Sequence, residues 1–205
     1  MKIVYKKSSE ILKNGNEKFL IGKNERVEYI LFLDSQGDYK IDLSFILKDV
    51  GAEAYIYIIE KGVEDQSAEI NISVIHKSSS TFARTFVRRV MYDGGKSYIN
   101  GLIKIDKGSQ NSNSYFDEST LLLGDKVISK VIPSLEIIPD NVKASHSSAT
   151  TYIPEEEVFY LQSRGIDKNK SYNMISSGFL KSKINEITDN KIKEKVFLDI
   201  DNLFV

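Results

Sequence analysis

The chain has 205 residues, 41% of them hydrophobic, and a formal net charge of −1; that length suits one domain or two small ones and buries about 70% of the surface exposed by the unfolded form. Near-neutral charge gives no global drive toward nucleic acid or an anionic membrane, no apolar run approaches the ~20 residues of a membrane span, and the opening MKIVYKKSSE lacks the apolar core of a signal peptide, so the expected address is the cytoplasm. Cysteine is absent, which excludes disulfides, thiolate metal sites and thiol nucleophiles together.

Turn signals stand at Asn14-Gly15 and at Asp34-Ser35-Gln36-Gly37. From there short alternating runs recur, among them Ile41, Leu43 and Phe45; Ala54, Ile56 and Ile58; Ile70, Ile72 and Val74; Ile99, Ile103 and Ile105; and Leu121 with Leu123. Their spacing, mostly 12 to 20 residues, leaves no room for intervening helices and predicts an all-β body rather than βαβ units. Further turns fall at Asp93-Gly94-Gly95 and Gly124-Asp125. Sandwich, barrel and stacked coil all stay open on this pattern, and so regular an interval without exact repetition is compatible with a solenoid.

Within this body, Arg84, Arg88 and Arg89 form the nearest thing to a basic cluster. On a strand the first two share a face and Arg89 points the other way, and a solvated face is expected rather than a phosphate site. His76 closes an apolar strand and is expected to be a hydrogen-bonded structural histidine. The polar stretch from Gly108 to Ser114 is either a surface loop or a place where Asn and Ser side chains stack along a coil axis.

The segment from Pro133 to Ile166 changes character. Leu135, Ile137 and Val142 belong to strand-like pieces broken by Pro139-Asp140-Asn141. Pro154 suits the first helical position, Glu155, Glu156 and Glu157 suit the positive end of a helix, and Gly165 offers a left-handed stop. His146, one of two histidines in the chain, therefore lies where β structure gives way to helices, among Ser145, Ser147 and Ser148. These serines do not make a hydrolase site, since no G-x-S-x-G elbow or orienting acid accompanies them. After Ile166, Tyr172, Ile175, Phe179, Ile184 and Ile187 form one helical stripe, and Ile192, Val196, Ile200, Leu203 and Phe204 a second, with an N-cap expected at Asp189-Asn190. Such stripes either pack on the β body or form a docking surface.

The blocks P-x-L-E-I at 133–137, D-N-V-K-x-S-H-x-x-A-T at 140–150 and F-Y-L-Q-S-R-G-I at 159–166 resemble the signature of the SufB/SufD family, the scaffold proteins of the SUF iron-sulfur cluster assembly system. Upstream, His76-Lys77-Ser78-Ser79-Ser80, Tyr98-Ile99-Asn100-Gly101 and Leu121-Leu122-Leu123-Gly124 resemble earlier blocks in the same order. The resemblance covers roughly residues 65 to 185, and the first 60 carry no recognised motif.

What the resemblance implies is a right-handed parallel β-helix at 1–153 with C-terminal α-helices at 154–205, much shorter than typical members and without their N-terminal helical domain. It implies a non-catalytic scaffold subunit that pairs with a SufB-like or identical protomer through the last rungs. The helices 168–204, with Tyr172, Ile175, Phe179 and Ile184, would dock a SufC-type ABC ATPase whose turnover shifts the scaffold. In the SufD branch the histidine matching His146 faces SufB and is implicated in building the nascent cluster; an imidazole can ligate iron. SufB-type chains carry a glutamate after this histidine and a cysteine on the strand before the L-L-G block. Here Ser147 and Glu118 hold those places, which is SufD-like, and Glu118 is expected to be a solvated strand carboxylate rather than an iron ligand. No stably bound cofactor is implied, only a transient cluster at the protomer interface, for which this cysteine-free chain alone cannot supply thiolates. Two other readings stay open: a purely structural paralogue, and a carbohydrate-binding or lyase-type β-helix, which would need an acidic or calcium-binding groove.

Overall fold

The computed structural model describes residues 1–10, 14–34, 37–64 and 66–204. Strands come first: β1 (Lys2–Lys7), β2 (Asn14–Ile21), β3 (Arg26–Leu33), β4 (Tyr39–Leu47), β5 (Glu53–Gly62), β6 (Ser67–His76), β7 (Phe82–Tyr92), β8 (Lys96–Ile105), β9 (Asn113–Leu123), β10 (Ile128–Ile137) and β11 (Lys143–Tyr152). Helices α1 (Glu155–Ser163), α2 (Lys168–Lys181) and α3 (Asn190–Asn202) follow, with a short 3-10 turn at Ile184–Glu186.

Consecutive strands lie in opposite sheets. One sheet has the order β1-β3-β5-β7-β9-β11 and the other β10-β8-β6-β4-β2, and every pairing is parallel. The chain thus winds as a flattened parallel β-helix of stacked coils, in which each interior strand satisfies its backbone on the coils before and after it. Register partners lie 26 residues apart at Asn14 and Lys40 and 32 apart at Lys96 and Ile128, so one coil uses about twice the strand spacing read from the sequence.

The alternating runs fill the space between the sheets. Ile41, Leu43, Phe45, Ala54, Ile56, Ile58, Ile70, Ile72, Val74, Ile99, Ile103 and Ile105 all belong to one buried core. Leu121 and Leu123 are the exception. They face outward, into a second core between the β1-to-β11 sheet and the C-terminal helices, with Ile30, Phe32, Tyr57, Ile59, Phe86, Val90, Val196 and Ile200. That sheet is therefore covered on both faces, which accounts for unbroken apolar runs such as Tyr29-Ile30-Leu31-Phe32-Leu33 in β3.

Several expectations are corrected. Asn14-Gly15 is not a turn but opens β2, paired with Lys40 and Ile41. Of the next turn signal, Ser35 and Gln36 lie outside the described residues, while Gly37 has a φ of 117°. The first 60 residues, which carry no recognised motif, form β1 to β5 and stack in register beneath the later rungs. Pro154 precedes the first helical residue and serves as N-cap of α1, whereas Gly165 takes the expected left-handed φ, 85°. Asp189 caps α3 as expected, its side chain accepting from the Ile192 N–H. The stretch Gly108–Ser114 is a corner whose Ser109 and Ser112 are buried, and Asn141 Nδ2 donates to Asn111 Oδ1 at 2.7 Å on the next rung.

Candidate functional site

Two strands end the coil. β10 pairs with β8 and β11 with β9, and among the described residues no strand lies on their other edges. Register fixes which side chains face the coil axis. His146 lies opposite Phe116, Ala144 opposite Ser114 and Ser148 opposite Glu118; Val131, Leu135 and Ile137 lie opposite Ile99, Ile103 and Ile105. The partners Phe116, Ile99, Ile103 and Ile105 are core residues. His146, Leu135 and Ile137 point the same way but have no rung above them, and all three are exposed.

The motif residues have local reasons. Pro133 falls on β10, an edge strand, where the missing N–H is tolerated. Gly101, its partner on β8, lies beneath Phe116, and a Cβ there would come 2.5 Å from the ring. At Gly124 a Cβ would meet the backbone nitrogen of Asp93 at 2.7 Å.

Beneath the open end one part of the coil interior is polar. Arg89 Nη2 and Nε donate to Glu118 Oε1 at 3.0 and 3.2 Å, and Arg89 Nη2 donates to Ser129 Oγ at 2.8 Å. Ser148 Oγ donates to Glu118 Oε2 at 2.8 Å, and Ser97 Oγ to Glu60 Oε2 at 2.9 Å. Arg89, Glu118 and Glu60 are fully buried, and burial pushes the Glu60 carboxyl above its ordinary range against the opposing pull of Arg89. Glu118 is thus not the solvated carboxylate expected; it lies on the inward side of β9, paired inside the core with Arg89 of β7. The solvated basic face is corrected with it. Arg89 lies inside the coil and Arg88 is buried on the outer side, its Nη2 2.7 Å from Asp117 Oδ2. Arg84 does share the outer face with Arg88, and its guanidinium lies 4.0 Å from the Phe82 ring centroid.

Ser147 faces outward, opposite Asp117. It shares a 2.8 Å hydrogen bond with the Tyr115 hydroxyl and donates to Asp117 Oδ1 at 3.2 Å. The three residues that the resemblance singles out therefore divide: His146 at the open end, Glu118 in the interior, Ser147 on the outer face. His76, buried at the end of β6, has Nδ1 2.7 Å from Thr81 Oγ1, while Nε2 has no partner among the described residues; burial pushes its pKa down to about 4.

The helical stripe is used within the chain. Ile184 is buried, and Tyr172, Ile175 and Phe179 pack against the second core; exposed apolar area on the helices comes instead from Phe159, Tyr160, Met174 and Leu198. Sequence periodicity cannot separate these uses, because a stripe turned to its own sheet and a stripe turned to a partner have the same spacing. Among the described residues no group of three or more His, Cys, Asp or Glu is placed to hold a metal, and no helix is long and apolar enough to cross a membrane.

Comparison with known proteins agrees with this geometry. The family model described as "SUF system FeS cluster assembly, SufBD core domain" matches residues 2–179, which extends the resemblance through the opening coils. The chain is similar to the iron-sulfur cluster assembly protein SufD of Bacillus subtilis strain 168, with 26% identity over 175 residues, 85% of this chain and 40% of that protein. It is similar to SufB of the same organism, with 29% identity over 135 residues, 66% of this chain and 29% of that protein. A SufBD family protein of Staphylococcus saprophyticus is 26% identical over 164 residues, 78% of this chain and 35% of that protein. The chain thus spans between 29% and 40% of the length of these three curated relatives. A parallel coil matched by the core-domain model along most of its length leaves one assignment: the chain belongs to the SufB/SufD family of the SUF iron-sulfur cluster assembly system.

Proposed function

We propose that the chain is a non-catalytic scaffold subunit in iron-sulfur cluster assembly, pairing with a SufB-like or identical protomer through the open end of the coil and docking a SufC-type ABC ATPase on its C-terminal helices. The observation that carries the reading is the contrast between the two ends. At the first rung the axis is covered by charge: Lys6 Nζ lies 2.9 Å from Glu17 Oε1, and Lys2 sits over the Phe19 ring. Charged edges of this kind oppose further strand addition. At the last rung β10 and β11 present free edges with the axis-facing residues Val131, Leu135, Ile137, Ala144, His146 and Ser148, with no Lys, Arg, Asp or Glu among them. Such an end can extend a sheet onto a second protomer.

His146 supplies the chemistry this end can offer. A neutral imidazole ligates iron through a ring nitrogen, and with no cysteine in the chain the thiolates for a nascent cluster, which is cargo, come from a cysteine-bearing SufB-like protomer and not from an identical one. On the helices, Phe159, Tyr160, Met174 and Leu198 are the exposed apolar residues that an ATPase would cover, the stripe Tyr172, Ile175, Phe179 and Ile184 holding those helices on the sheet from beneath.

Co-expression with a tagged SufC-type ATPase and a cysteine-bearing SufB-like protein tests the reading. The expected result is a ternary complex that assembles a cluster on addition of iron and sulfide, with His146→Ala forming the complex but losing most of the cluster yield. Failure of the chain to enter any complex with intact helices would overturn it, and unchanged cluster yield in His146→Ala would remove the imidazole from the site.

A further inference from the structure

Asp117, on the outer face of β9, touches both parts that the proposed function relates. Its Oδ1 accepts from Ser147 Oγ at 3.2 Å, on the free-edged strand β11. Its Oδ2 accepts from Arg88 Nη2 at 2.7 Å and lies 3.9 Å from Lys183 Nζ, two residues past the end of α2. Arg88 is fixed in turn: Nη1 donates to the carbonyls of Val87 and Asp117 at 2.9 and 3.1 Å, and Nε donates to Ser182 Oγ, the C-cap residue of α2, at 3.2 Å. Arg88 is 6% and Asp117 9% exposed, and separating so buried a guanidinium and carboxylate would leave an uncompensated charge, so the pair moves as a unit.

The run Ser147–Asp117–Arg88–Ser182 is therefore a continuous hydrogen-bonded link from the open end of the coil to the end of α2. The rest of the α2 contact is apolar, through Leu180, Phe179, Ile175 and Tyr172, and apolar contact is not directional. Among the described residues, the other hydrogen bonds from the C-terminal segment to the strands reach Tyr5 and Lys7 of β1, Glu28 of β3 and Lys61 of β5, away from β11.

We infer that Asp117 is a positioning residue, a joint through which the seating of the C-terminal end of α2 sets the order of strand β11 beside His146. With Ser182 and Lys183 seated, Arg88 has all its acceptors and Asp117 keeps one oxygen for Ser147. When that helix end is drawn away, Arg88 loses the Ser182 acceptor and Asp117 the Lys183 charge. The carboxylate then turns to Arg88 and releases the serine. This inference rests on the proposed function for its purpose, since it gives a load on the helices a route to the pairing edge, and coupling of this kind is reciprocal.

Backbone hydrogen exchange read by mass spectrometry on the chain alone tests it. Ser182→Ala should speed exchange across 143–152 by roughly three- to ten-fold, the range for one hydrogen bond, although Ser182 does not touch β11. In an Asp117→Asn background, Ser182→Ala should add nothing further there. Ser177→Ala, which breaks the Ser177–Asp201 bond on the same helix, should leave β11 unchanged. Reciprocally, Ser147→Ala should speed exchange at 178–183, a measurement that stands even if Asp117→Asn fails to fold. Exchange in β11 that ignores Ser182→Ala, or responds to it equally with and without Asp117, overturns the inference, as does an absent reciprocal effect. No ATPase enters these measurements, so failure of a partner to bind and failure of the joint are separate results.

Discussion

Arg89 and Glu118, one rung apart inside the coil, form an ion pair in which neither side chain is exposed. Each is satisfied only in part by the other: Glu118 also accepts from Thr120 Oγ1 and Ser148 Oγ, and Arg89 Nη1 is left without a partner among the described residues. Removing one member strands the other's charge. Glu118→Ala should cost about 3 to 5 kcal/mol in urea unfolding, whereas the double change Arg89→Met with Glu118→Leu should cost far less. In the double change Glu60 loses the pull of Arg89 and the opposing charge of Glu118 together, and keeps its bond to Ser97. Equal losses in the single and double variants would show that the pair is not coupled.

Gly101 and Phe116 define a second dependence. A Cβ on Gly101 would meet three ring atoms of Phe116 at 2.5 to 3.0 Å, so Gly101→Ala should destabilise by about 1 to 3 kcal/mol through overpacking. Adding Phe116→Leu should recover part of that loss. Thermal unfolding of the two singles and the double reads it, and additive losses would refute the contact.

His76 makes stability depend on pH. Burial lowers its pKa to about 4 in the folded chain, against about 6.5 for the unfolded one. Between those values the unfolded state binds the proton and the folded state does not, so stability rises with pH through this window. The contribution is fully present above about pH 6.5 and is lost progressively toward pH 4, by at most about 3 kcal/mol. His76→Leu should flatten that part of the curve while lowering stability at pH 7 by removing the bond to Thr81. A slope unchanged by the substitution would assign the pH dependence to other groups.

How far the fold could be read in advance follows from what alternation encodes. Ile41-Leu43-Phe45 and Ile70-Ile72-Val74 announce one buried face, and that face is the coil interior. Alternation gives a side but not its depth: Arg88 and Arg89 take opposite sides as expected, yet both are buried, because helices cover the outer face of β7 and the coil encloses its inner face. The signal was there in Phe82 to Tyr92, where apolar residues flank the arginines on both parities. The coil repeat was hidden for a different reason. Its marker is conformational, a left-handed φ at Asn24, Gly51, Ser80 and Asn111, four positions at one corner filled by three residue types. At the open end the sequence brought His146 to notice, but Ser147 and Glu118 could not be sorted until register put one on the outer face and the other in the core.

The open end itself yields the last prediction. Leu135 faces the coil axis on β10, opposite core residue Ile103, and is 38% exposed because nothing stacks above it. Leu135→Lys places a charge on an edge strand where the long aliphatic stem can still lie on the rung below and the ammonium can reach water. The chain's own stability should therefore change by no more than about 1 kcal/mol, while pairing through this end should be lost, since docking would desolvate an unpaired ammonium. The same change at Leu20, exposed on the outer side of β2 at the charged first rung, should leave pairing intact. Light scattering of the purified subunit with its protomer partner separates the cases, and pairing that survives Leu135→Lys would mean that the last rung is not the surface through which protomers meet.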